Sequence, residues 1–422
     1  MKIAAIIAEY NPFHNGHKYL IEETRRLTGA DYILAIMSGD FVQRGAPAIC
    51  NKYLRTKMAL SGGADAVIEL PPVYALSSAE FFASGSVSVL NCLGCIDLLA
   101  FGSESGELSR ISDAADLLCQ NTLNDSGKLS AYMKAGMSYP AARLKLLQQN
   151  FAADQLFSSP NNILGVEYCK ALKLSGSNIS PFTIKREGSN YHSKELLTDS
   201  SQYGSASAIR NVIEKDIGSK TALPSISNEI KNHVPSAVYD IMTKYNITET
   251  YLTSDDFSNL LHYKLLSEQS YGFSKYLDCS QALSDKICKH LPEFTTVSDF
   301  ILRLKSKELT YTRISRVLFH ILLNITTPEW YDTFSDTHTL HTPYARLLGF
   351  HERALPMLSH IRKNSSIPII AKLADASSYL DSEAYQLLSQ DIFCASVYET
   401  VHFHKTGQPA LNEFKQSPIK IS

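Results

Sequence analysis

Two histidines, His14 and His17, stand three residues apart with Gly16 between them, and they are the side chains best suited to chemistry. Residues at this spacing share one face of the first turn of a helix, so the two imidazoles would project together. A helix N-terminus attracts anions through its free backbone N–H groups and its dipole. Because Gly16 has no Cβ, a phosphate could approach the backbone closely there. The spacing indicates a phosphate site where two imidazoles stabilise charge that develops on a reacting phosphorus.

The residues around the histidines predict how they are positioned. Residues 3–8 form a short Ile-rich apolar run, typical of a strand that is buried on both faces. Asn11-Pro12 favours an extended or turn conformation, and the apolar pattern after His17 predicts a helix that continues to Leu27. A strand, a turn and a helix start are the usual parts of a phosphate site. This context favours chemistry over the alternative, two surface histidines that only cap a helix.

Further apolar runs predict how this first unit is extended into a domain. Strands that alternate with helices indicate a parallel, doubly wound α/β sheet of the Rossmann-like kind. Ligands bind such sheets beyond the carboxyl ends of the strands. Because His14, Asp40, Glu69 and Gly102 all follow or end predicted strands, we expect them at one edge of the sheet. The further strands are predicted at residues 32–37, 66–70, 98–101 and 182–185.

The length of 422 residues exceeds one typical core, so two domains are expected. Residues 1–218 are predicted to form the nucleotide-binding α/β domain. From residue 219 to residue 422 the strand-like runs give way to helical patterns, which predicts an all-helical second domain. The clearest pattern places apolar residues at positions i, i+3, i+4, i+7 and i+8. Its members are Ile314, Val317, Leu318, Ile321 and Leu322.

Composition and charge limit the classes of function. Hydrophobic residues make up 44% and charged residues 19% of the chain, as in soluble globular proteins. The net charge is −2, so any RNA binding must come from a local basic patch. Met1 leads directly into a strand, and no apolar run approaches the ~18 residues of a membrane span, so we expect a cytoplasmic protein with no membrane partner. Cys92 and Cys95 lack a second pair, so no metal site is predicted.

Residues 7–17, residues 37–45 and the chain length resemble the bacterial tRNA(Met) cytidine acetate ligase family. This family belongs to the HIGH-type nucleotidyltransferase superfamily, whose H-x-G-H signature is matched by residues 14–17. A second superfamily signature, I-S-S-T-x-x-R, has its counterpart at residues 204–210. This second match is partial. The departures are Gly204 for isoleucine, Ala206 for serine and Ser207 for threonine.

The resemblance implies an ATP site with Mg²⁺ as cofactor. Ser205, Ser207 and Arg210 would bind the β- and γ-phosphates from a second helix N-terminus. The other implied ATP-binding residues are Ile7, Ala8, Glu9, Tyr10, Asn11, Pro12, Phe13, His14, Asn15, Gly16, His17, Lys18, Gly102, Asn162, Arg186 and Glu187. Ordinary alternatives stay open for three of these, since Gly102 would suit a turn, Asn162 a helix cap and Arg186 a surface charge.

Asp40 is a further candidate catalytic residue, in addition to His14 and His17. It follows the predicted strand at residues 32–37, where a carboxylate could hold Mg²⁺ against ATP phosphates. It could instead position an attacking cytidine amine, or simply cap the next turn. The sequence leaves these three roles open.

A local basic patch in the helical half is the predicted tRNA contact. Tyr311 lies among its cations, and Arg346, Arg362 and Lys363 would extend it. A basic stripe opposite an apolar stripe can also be an ordinary solvated face. The predicted tRNA-binding residues are Arg303, Lys305, Lys307, Arg313 and Arg316.

The resemblance implies a two-step reaction. Acetate would attack the α-phosphate of ATP, and the anticodon cytidine of elongator tRNA(Met) would then take the acetyl group from the acetyl-adenylate. One alternative is a pantetheine-phosphate or nicotinamide-mononucleotide adenylyltransferase, although about 200 additional helical residues argue against it. An aminoacyl-tRNA synthetase would need a K-M-S-K-S motif, which the sequence lacks. A non-catalytic RNA-binding protein is the third alternative. No obligate protein partner is expected.

Overall fold

The computed structural model describes residues 1–122, 127–135, 137, 139–151, 159–186, 204–218, 228–328 and 339–422. The strands are β1 (Ile3–Ala8), β2 (Tyr32–Ser38), β3 (Phe41–Val42), β4 (Ala46–Pro47), β5 (Ala66–Leu70), β6 (Leu98–Ser103), β7 (Ser180–Lys185), β8 (Ala345–His351), β9 (Ile369–Ile370) and β10 (Ile419–Ile421). The helices up to residue 218 are α1 (Asn15–Thr28), α2 (Lys52–Ser61), α3 (Pro72–Ala75), α4 (Ala79–Leu93), α5 (Leu108–Thr122), α6 (Lys128–Lys134), α7 (Tyr139–Asn150), α8 (Pro160–Leu174) and α9 (Ala206–Gly218). The later helices are α10 (Asn228–Lys231), α11 (Ser236–Lys244), α12 (Ile247–Thr250), α13 (Ser258–Glu268), α14 (Gln281–His290), α15 (Val297–Leu304), α16 (Tyr311–Leu322), α17 (Leu355–Asn364) and α18 (Ser382–Thr406).

The main sheet has the strand order β10-β8-β5-β2-β1-β6-β7, with β9 paired to β8. Strand β1 is parallel to both β2 and β6, and β5 and β7 continue the parallel arrangement on either side. Ile3 and Ala5 of β1 face one hydrophobic core, and Ala4 and Ile6 face the other. Burial on both faces explains why β1 is a continuous apolar run. The predicted parallel α/β sheet is therefore confirmed.

The prediction of an all-helical second half is wrong, because residues after 219 also add strands to the main sheet. Strand β8 pairs antiparallel with β5, and β9 and β10 pair parallel with β8. The sequence of β8 is largely apolar, and its pairing covers the edge of β5 that would otherwise be open. The domain boundary at residues 218 and 219 stays a prediction.

Residues from both halves of the chain share one hydrophobic core. Phe41 follows β2, and its ring centroid lies 5.6 Å from that of Phe257 and 5.7 Å from that of Phe319. All three side chains are buried. The helical half is therefore packed directly against the end of the sheet.

The two faces of the sheet carry different helices. One core contains residues of α4, α5 and α8, and the other contains residues of α1, α2, α9 and α11. In folds of this kind, ligands bind beyond the carboxyl ends of the parallel strands. Within the described part of the chain, none of the helices has the length and apolar character needed to span a membrane.

Candidate active site

The N-terminus of α1 is closed by two imidazoles that cap it reciprocally. His14 is the N-cap residue, and its Nδ1 accepts a hydrogen bond from the backbone N–H of Gly16 at 3.0 Å. His17 Nδ1 accepts from the backbone N–H of His14 at 3.2 Å. This is the geometry of a capping box, in which Ser or Thr is usually paired with Glu. The two rings stack with their centroids 3.7 Å apart.

These hydrogen bonds determine which ring nitrogen carries a proton. Because Nδ1 accepts in both His14 and His17, each neutral ring holds its hydrogen on Nε2. Burial, helped by the charge of Arg186, lowers the pKa of His17 to about 3. Burial also lowers the pKa of His14 well below its usual value. Both imidazoles are therefore neutral at neutral pH, and each offers one Nε2–H donor.

The backbone N–H groups of the first turn of α1 already have partners, which differs from the expectation that they bind the anion. The N–H of Asn15 donates to the carbonyl of His233 at 2.9 Å. The N–H of His17 donates to the carbonyl of His14, also at 2.9 Å. The imidazoles therefore take over the donor role that the backbone has in a common phosphate-binding turn.

A cavity of about 180 Å³ lies beyond the carboxyl ends of β1, β6 and β7. It is bounded by the N-termini of α1 and α9, so it is the site at which the sheet and both helix starts converge. Its lining residues are Ile6, Ile7, Ala8, Glu9, Tyr10, Asn11, His14, Gly16, His17, Tyr19, Leu20, Gln43, Arg44, Phe82, Phe101, Gly102, Asn161, Leu164, Tyr168, Ile184, Lys185, Arg186, Gly204, Ser205, Ala206, Ser207 and Arg210.

The start of α9 brings the second predicted signature to the same cavity as the histidines. Ser205 Oγ accepts from the backbone N–H of Ala208 at 3.1 Å and so caps the helix. Ser207 Oγ accepts from Arg210 Nη2 at 3.1 Å and from Arg44 Nη1 at 3.2 Å. Arg210 Nη1 donates to the carbonyl of Asn11 at 2.6 Å. Two guanidinium groups are thus held beside the histidine turn, with the geometry that suits phosphate oxygens.

Gly102 and Arg186 form the opposite side of the cavity, at the ends of β6 and β7. A Cβ on Gly102 would lie 3.2 Å from Cγ of Arg186, so glycine leaves the Arg186 side chain room to cross the strand end. Arg186 also acts at a distance on both imidazoles, since its charge lowers the pKa of His14 and of His17. The structure therefore joins these two predicted residues to the histidine pair.

Several predicted ATP-binding residues lie outside the lining of the cavity. Asn162 is buried, and its Oδ1 accepts from the backbone N–H of Glu104 at 2.9 Å, so it orders the loop after β6. The side chain of Lys18 lies 3.6 Å from Glu22 on the exposed face of α1. Glu187 lies outside the described residues. The remaining non-lining residues are Pro12, Phe13 and Asn15, and ATP contacts by this whole group stay predictions.

Asp40 and Glu69 lie at the predicted carboxyl edge of the sheet, but they do not line the cavity. Asp40 Oδ1 accepts from the backbone N–H of Lys52 at 2.7 Å, next to the start of α2. Lys52 Nζ lies 3.7 Å from Asp40, 3.0 Å from Glu69 and 3.0 Å from Glu413. Arg346 completes the group with Nη1 3.1 Å from Glu69 and a second contact to Glu413. These five residues are called the buried ion cluster below.

The buried ion cluster explains the role of Asp40. Burial raises the pKa of Asp40 to about 6, and the neighbouring carboxylates act in the same direction. The sequence left three roles open for Asp40. Its contacts fit the capping role, because its carboxylate accepts a hydrogen bond from the backbone N–H of Lys52, the first residue of α2. Arg346, expected to extend the tRNA patch, is a buried member of this cluster.

The predicted tRNA patch is only partly a free surface. Lys305 and Lys307 are exposed, whereas Arg303 pairs with Glu293 at 2.8 Å. The side chain of Arg316 is only 14% exposed and lies 3.8 Å from Asp278. Arg313 is half-buried on α16.

Helix α16, which carries Arg313 and Arg316, lies beside the cavity. Ser315 Oγ donates to the carbonyl of Gly45, the neighbour of the lining residue Arg44. Helix α16 therefore contacts the loop between β3 and β4, which carries the lining residues Gln43 and Arg44.

The cationic and aromatic residues that complete the cavity were not predicted from the sequence. Arg44 belongs to residues 37–45, and the family resemblance of this stretch was the available signal. The aromatic and aliphatic residues gave no signal, because apolar side chains on helices are usually core. The main missed lining residues are Arg44, Phe82, Phe101, Leu164, Tyr168 and Lys185.

Comparisons with known proteins point in one direction. A family model described as HIGH Nucleotidyl Transferase matches residues 1–412. A tRNA(Met) cytidine acetate ligase of Thermoanaerobacter sp. is 38% identical over 426 residues, which cover all of both chains. The protein of the same name from Clostridium acetobutylicum is 39% identical over 412 residues, which cover 95% of this chain and 96% of the relative.

Solved structures of Thermotoga maritima TmcAL are similar over their whole length. The form bound with alpha-thio ATP superposes with a TM-score of 0.86 at 28% identity, and both chains are fully covered. The apo form gives a TM-score of 0.88 at 29% identity, again with full coverage.

Proposed function

The chain belongs to the tRNA(Met) cytidine acetate ligase family of HIGH nucleotidyltransferases, and we propose that it acetylates the anticodon wobble cytidine of elongator tRNA(Met) with ATP and acetate. The observation that carries this proposal is the pair of neutral, stacked imidazoles with Nε2–H donors at a cavity rich in guanidinium groups. The product would be N4-acetylcytidine. A tRNA substrate places this reaction in the cytoplasm.

In the first step, acetate attacks the α-phosphate of ATP, and pyrophosphate leaves. The protein performs little covalent chemistry in such a transfer, so positioning and charge stabilisation dominate. His14 and His17 donate from Nε2 to oxygens that gain charge at the α-phosphorus. Because the rings are neutral and held by the backbone, their donors are already oriented before the substrates bind.

The guanidinium groups bind the leaving pyrophosphate. Arg44 and Arg210 are oriented by Ser207, and Arg186 approaches from the ends of β6 and β7. Planar guanidinium groups match phosphate oxygens with two parallel hydrogen bonds. These residues therefore hold the β- and γ-phosphates while the bond to the α-phosphorus breaks.

Mg²⁺ is proposed as a partner of ATP rather than as a resident ion. Among the described residues, no group of three or more His, Cys, Asp or Glu side chains is arranged to hold a metal. Mg²⁺ commonly binds through substrate phosphates and keeps several waters, so a protein cage is not needed. When bound, it would neutralise charge on the pyrophosphate.

In the second step, the exocyclic amine of cytidine attacks the acetyl-adenylate. An unpaired base in an anticodon loop can be turned out of its stack at low cost and inserted into a pocket. Arg313 on α16, which contacts Gly45 through Ser315, and the exposed Lys305 and Lys307 just before this helix are the proposed contacts to the tRNA backbone.

A product assay tests the proposed function. The protein is incubated with ATP, labelled acetate and total bacterial tRNA, and the digested RNA is examined for N4-acetylcytidine. We expect label in this nucleoside only when ATP is present. Acetate-dependent pyrophosphate release without labelled RNA would support adenylation but contradict the acceptor. Pyrophosphate release that does not depend on acetate would favour a small-molecule adenylyltransferase.

A further inference from the structure

The cavity crosses the carboxyl edge of the sheet, so its two walls are formed by the helices on opposite faces of the sheet. The two walls differ in chemical character. The wall on the α1 and α9 side carries His14, His17 and Arg210, which suit a triphosphate. The wall on the α4 and α8 side is largely aromatic and apolar, and the ring centroids of Phe101 and Tyr168 lie 5.7 Å apart. This second wall consists of Phe82, Phe101, Leu164 and Tyr168. Aromatic faces of this kind are suited to stacking on a nucleobase.

Glu9 also lines the cavity and directly follows the last residue of β1. Its Oε1 accepts from the backbone N–H of Gln43 at 2.9 Å, so the carboxylate has a fixed position. Its charge reaches the aromatic wall, because the pKa of Tyr168 is raised mainly by burial and also by Glu9. Among the described residues that line the cavity, Glu9 is the one that carries a carboxylate.

A carboxylate at this place is unfavourable beside the phosphates of ATP or beside acetate, since it repels these anions. It becomes favourable when the group beside it donates hydrogen bonds. The exocyclic amine of cytosine is such a donor, and Glu or Asp side chains are its usual acceptors in proteins that read this base. Glu9 therefore fits a base with an exocyclic amine, and in the second step this amine is the reacting group.

The second step also needs a proton acceptor, and the other polar residues of the cavity are poorly suited to that role. His14 and His17 already use Nδ1 as an acceptor, and burial lowers the pKa of both rings. The arginine and lysine side chains carry donors and no acceptor. Tyr10 is buried, and burial raises the pKa of its hydroxyl.

We propose that Glu9 and the aromatic wall form the acceptor-base subsite, in which Glu9 is the general base of acetyl transfer. The inference rests on the proposed function. The amine nitrogen of cytosine forms a bond to the acetyl carbonyl carbon, and the bond from this carbon to the phosphate oxygen breaks. AMP leaves with the electron pair, and the amine proton passes to the Glu9 carboxylate. Glu9 thus selects a base with an exocyclic amine and also removes its proton.

The test compares the two half-reactions in Glu9→Gln, which keeps the shape of the side chain and loses its basicity. Adenylation is measured as acetate-dependent exchange of pyrophosphate into ATP. Transfer is measured in a single turnover from preformed acetyl-adenylate to tRNA. We expect transfer to fall at least about 100-fold more than exchange, as for loss of a general base.

Two further variants control this experiment. Glu9→Asp keeps a carboxylate on a side chain that is one methylene shorter. Its transfer rate should therefore lie between those of Glu9→Gln and the wild type. Glu22→Gln changes an exposed carboxylate on α1 outside the cavity, and both half-reactions should match the wild type. Equal losses of transfer and exchange in Glu9→Gln, with exchange restored by added Mg²⁺, would assign Glu9 to the metal and overturn the inference.

The remaining outcomes separate the inference from the function on which it rests. A wild-type protein without acetate-dependent exchange would overturn both. A wild type that acetylates tRNA, together with a Glu9→Gln variant whose ratio of transfer to exchange is unchanged, would overturn the inference alone.

Discussion

Two groups of charged side chains lie at the carboxyl edge of the same sheet, and they differ in charge balance and in exposure. The buried ion cluster contains three carboxylates and two cations, all at most 5% exposed. The active-site cavity is lined by Glu9 against four cationic side chains of arginine and lysine. In the buried ion cluster, charges of opposite sign compensate each other and support folding. In the cavity, the excess of positive charge favours binding of an anionic ligand.

This difference explains why Asp40 and Glu69 lie at the predicted edge of the sheet and yet do not line the cavity. Both follow or end a strand of the parallel sheet, which is the usual position of a ligand-binding residue. Their partners Arg346 and Glu413 belong to the far end of the chain and reach them through β8 and the segment before β10. A carboxylate at a strand end is therefore ambiguous until its counter-charge is known.

Lys52→Met should have the largest effect, on stability. It leaves Asp40, Glu69 and Glu413 with Arg346 as the remaining cation of the cluster. Removal of one partner from a buried ion pair costs about 3–5 kcal/mol, so we expect that loss in the free energy of unfolding. Urea denaturation measures it, and Lys57→Met on the same helix is the control that should change far less. A loss below about 1 kcal/mol would show that the cluster is not a stabilising unit.

His14→Asn should have the next largest effect, on catalysis. Asparagine is a good N-cap residue, so the helix should keep its start while the Nε2–H donor is lost. Loss of one such donor typically reduces the rate by about 10²–10³-fold. Acetate-dependent exchange of pyrophosphate into ATP measures this.

His14→Ala separates capping from catalysis. Because His14 is buried and caps α1, His14→Ala should also lower the free energy of unfolding by about 1 kcal/mol. An active His14→Asn variant would contradict the role of the imidazole.

Asp40→Asn tests whether Asp40, a member of the buried ion cluster, takes part in catalysis. Burial raises the pKa of Asp40 from 3.8 to about 6, so the folded state holds this proton more tightly than the unfolded state. The wild type should therefore lose stability relative to Asp40→Asn as pH rises from about 4 to about 6, by about 3 kcal/mol at most. Denaturation at several pH values measures this, and exchange activity should stay within a few-fold. A large loss of exchange activity would show that Asp40 has a role in the reaction.

The double variant Lys305→Gln, Lys307→Gln should have the smallest effect. Both side chains are exposed and can neutralise tRNA phosphates. Loss of two contacts should weaken tRNA binding several-fold and reduce the slope of log K against log salt by about 1.4 to 1.8. ATP binding should not change. Arg316→Gln is the contrast, since its buried side chain should affect stability more than the salt slope.

The parts of the fold that local patterns specify were predicted well. Strands β1, β2, β5, β6 and β7 are confirmed. The first four are largely apolar runs, and in β7 the apolar Phe182 and Ile184 alternate with polar residues. Strand β8 was missed because a strand is stabilised by its partner, and the partner β5 lies far away in the sequence. The two-residue strands β3 and β4 carry too little pattern to be recognised.

In the candidate site too, only the features with a local sequence pattern could be predicted. The histidine turn and the start of α9 could be found because each has a characteristic spacing, and the structure brings both to one cavity. Phe82 and Tyr168 could not be found, because an apolar residue on a helix looks the same whether it lines a cavity or fills a core. The occupied backbone N–H groups of α1 were also unforeseen, since histidine seldom forms both halves of a capping box.

The most direct test of the account is a crystal structure of this chain with a non-hydrolysable ATP analogue. The account predicts that the α-phosphate lies within hydrogen-bond distance of Nε2 of both His14 and His17, with the outer phosphates on the guanidinium groups of Arg44 and Arg210. A nucleotide bound elsewhere, or imidazoles turned away from its phosphates, would contradict it.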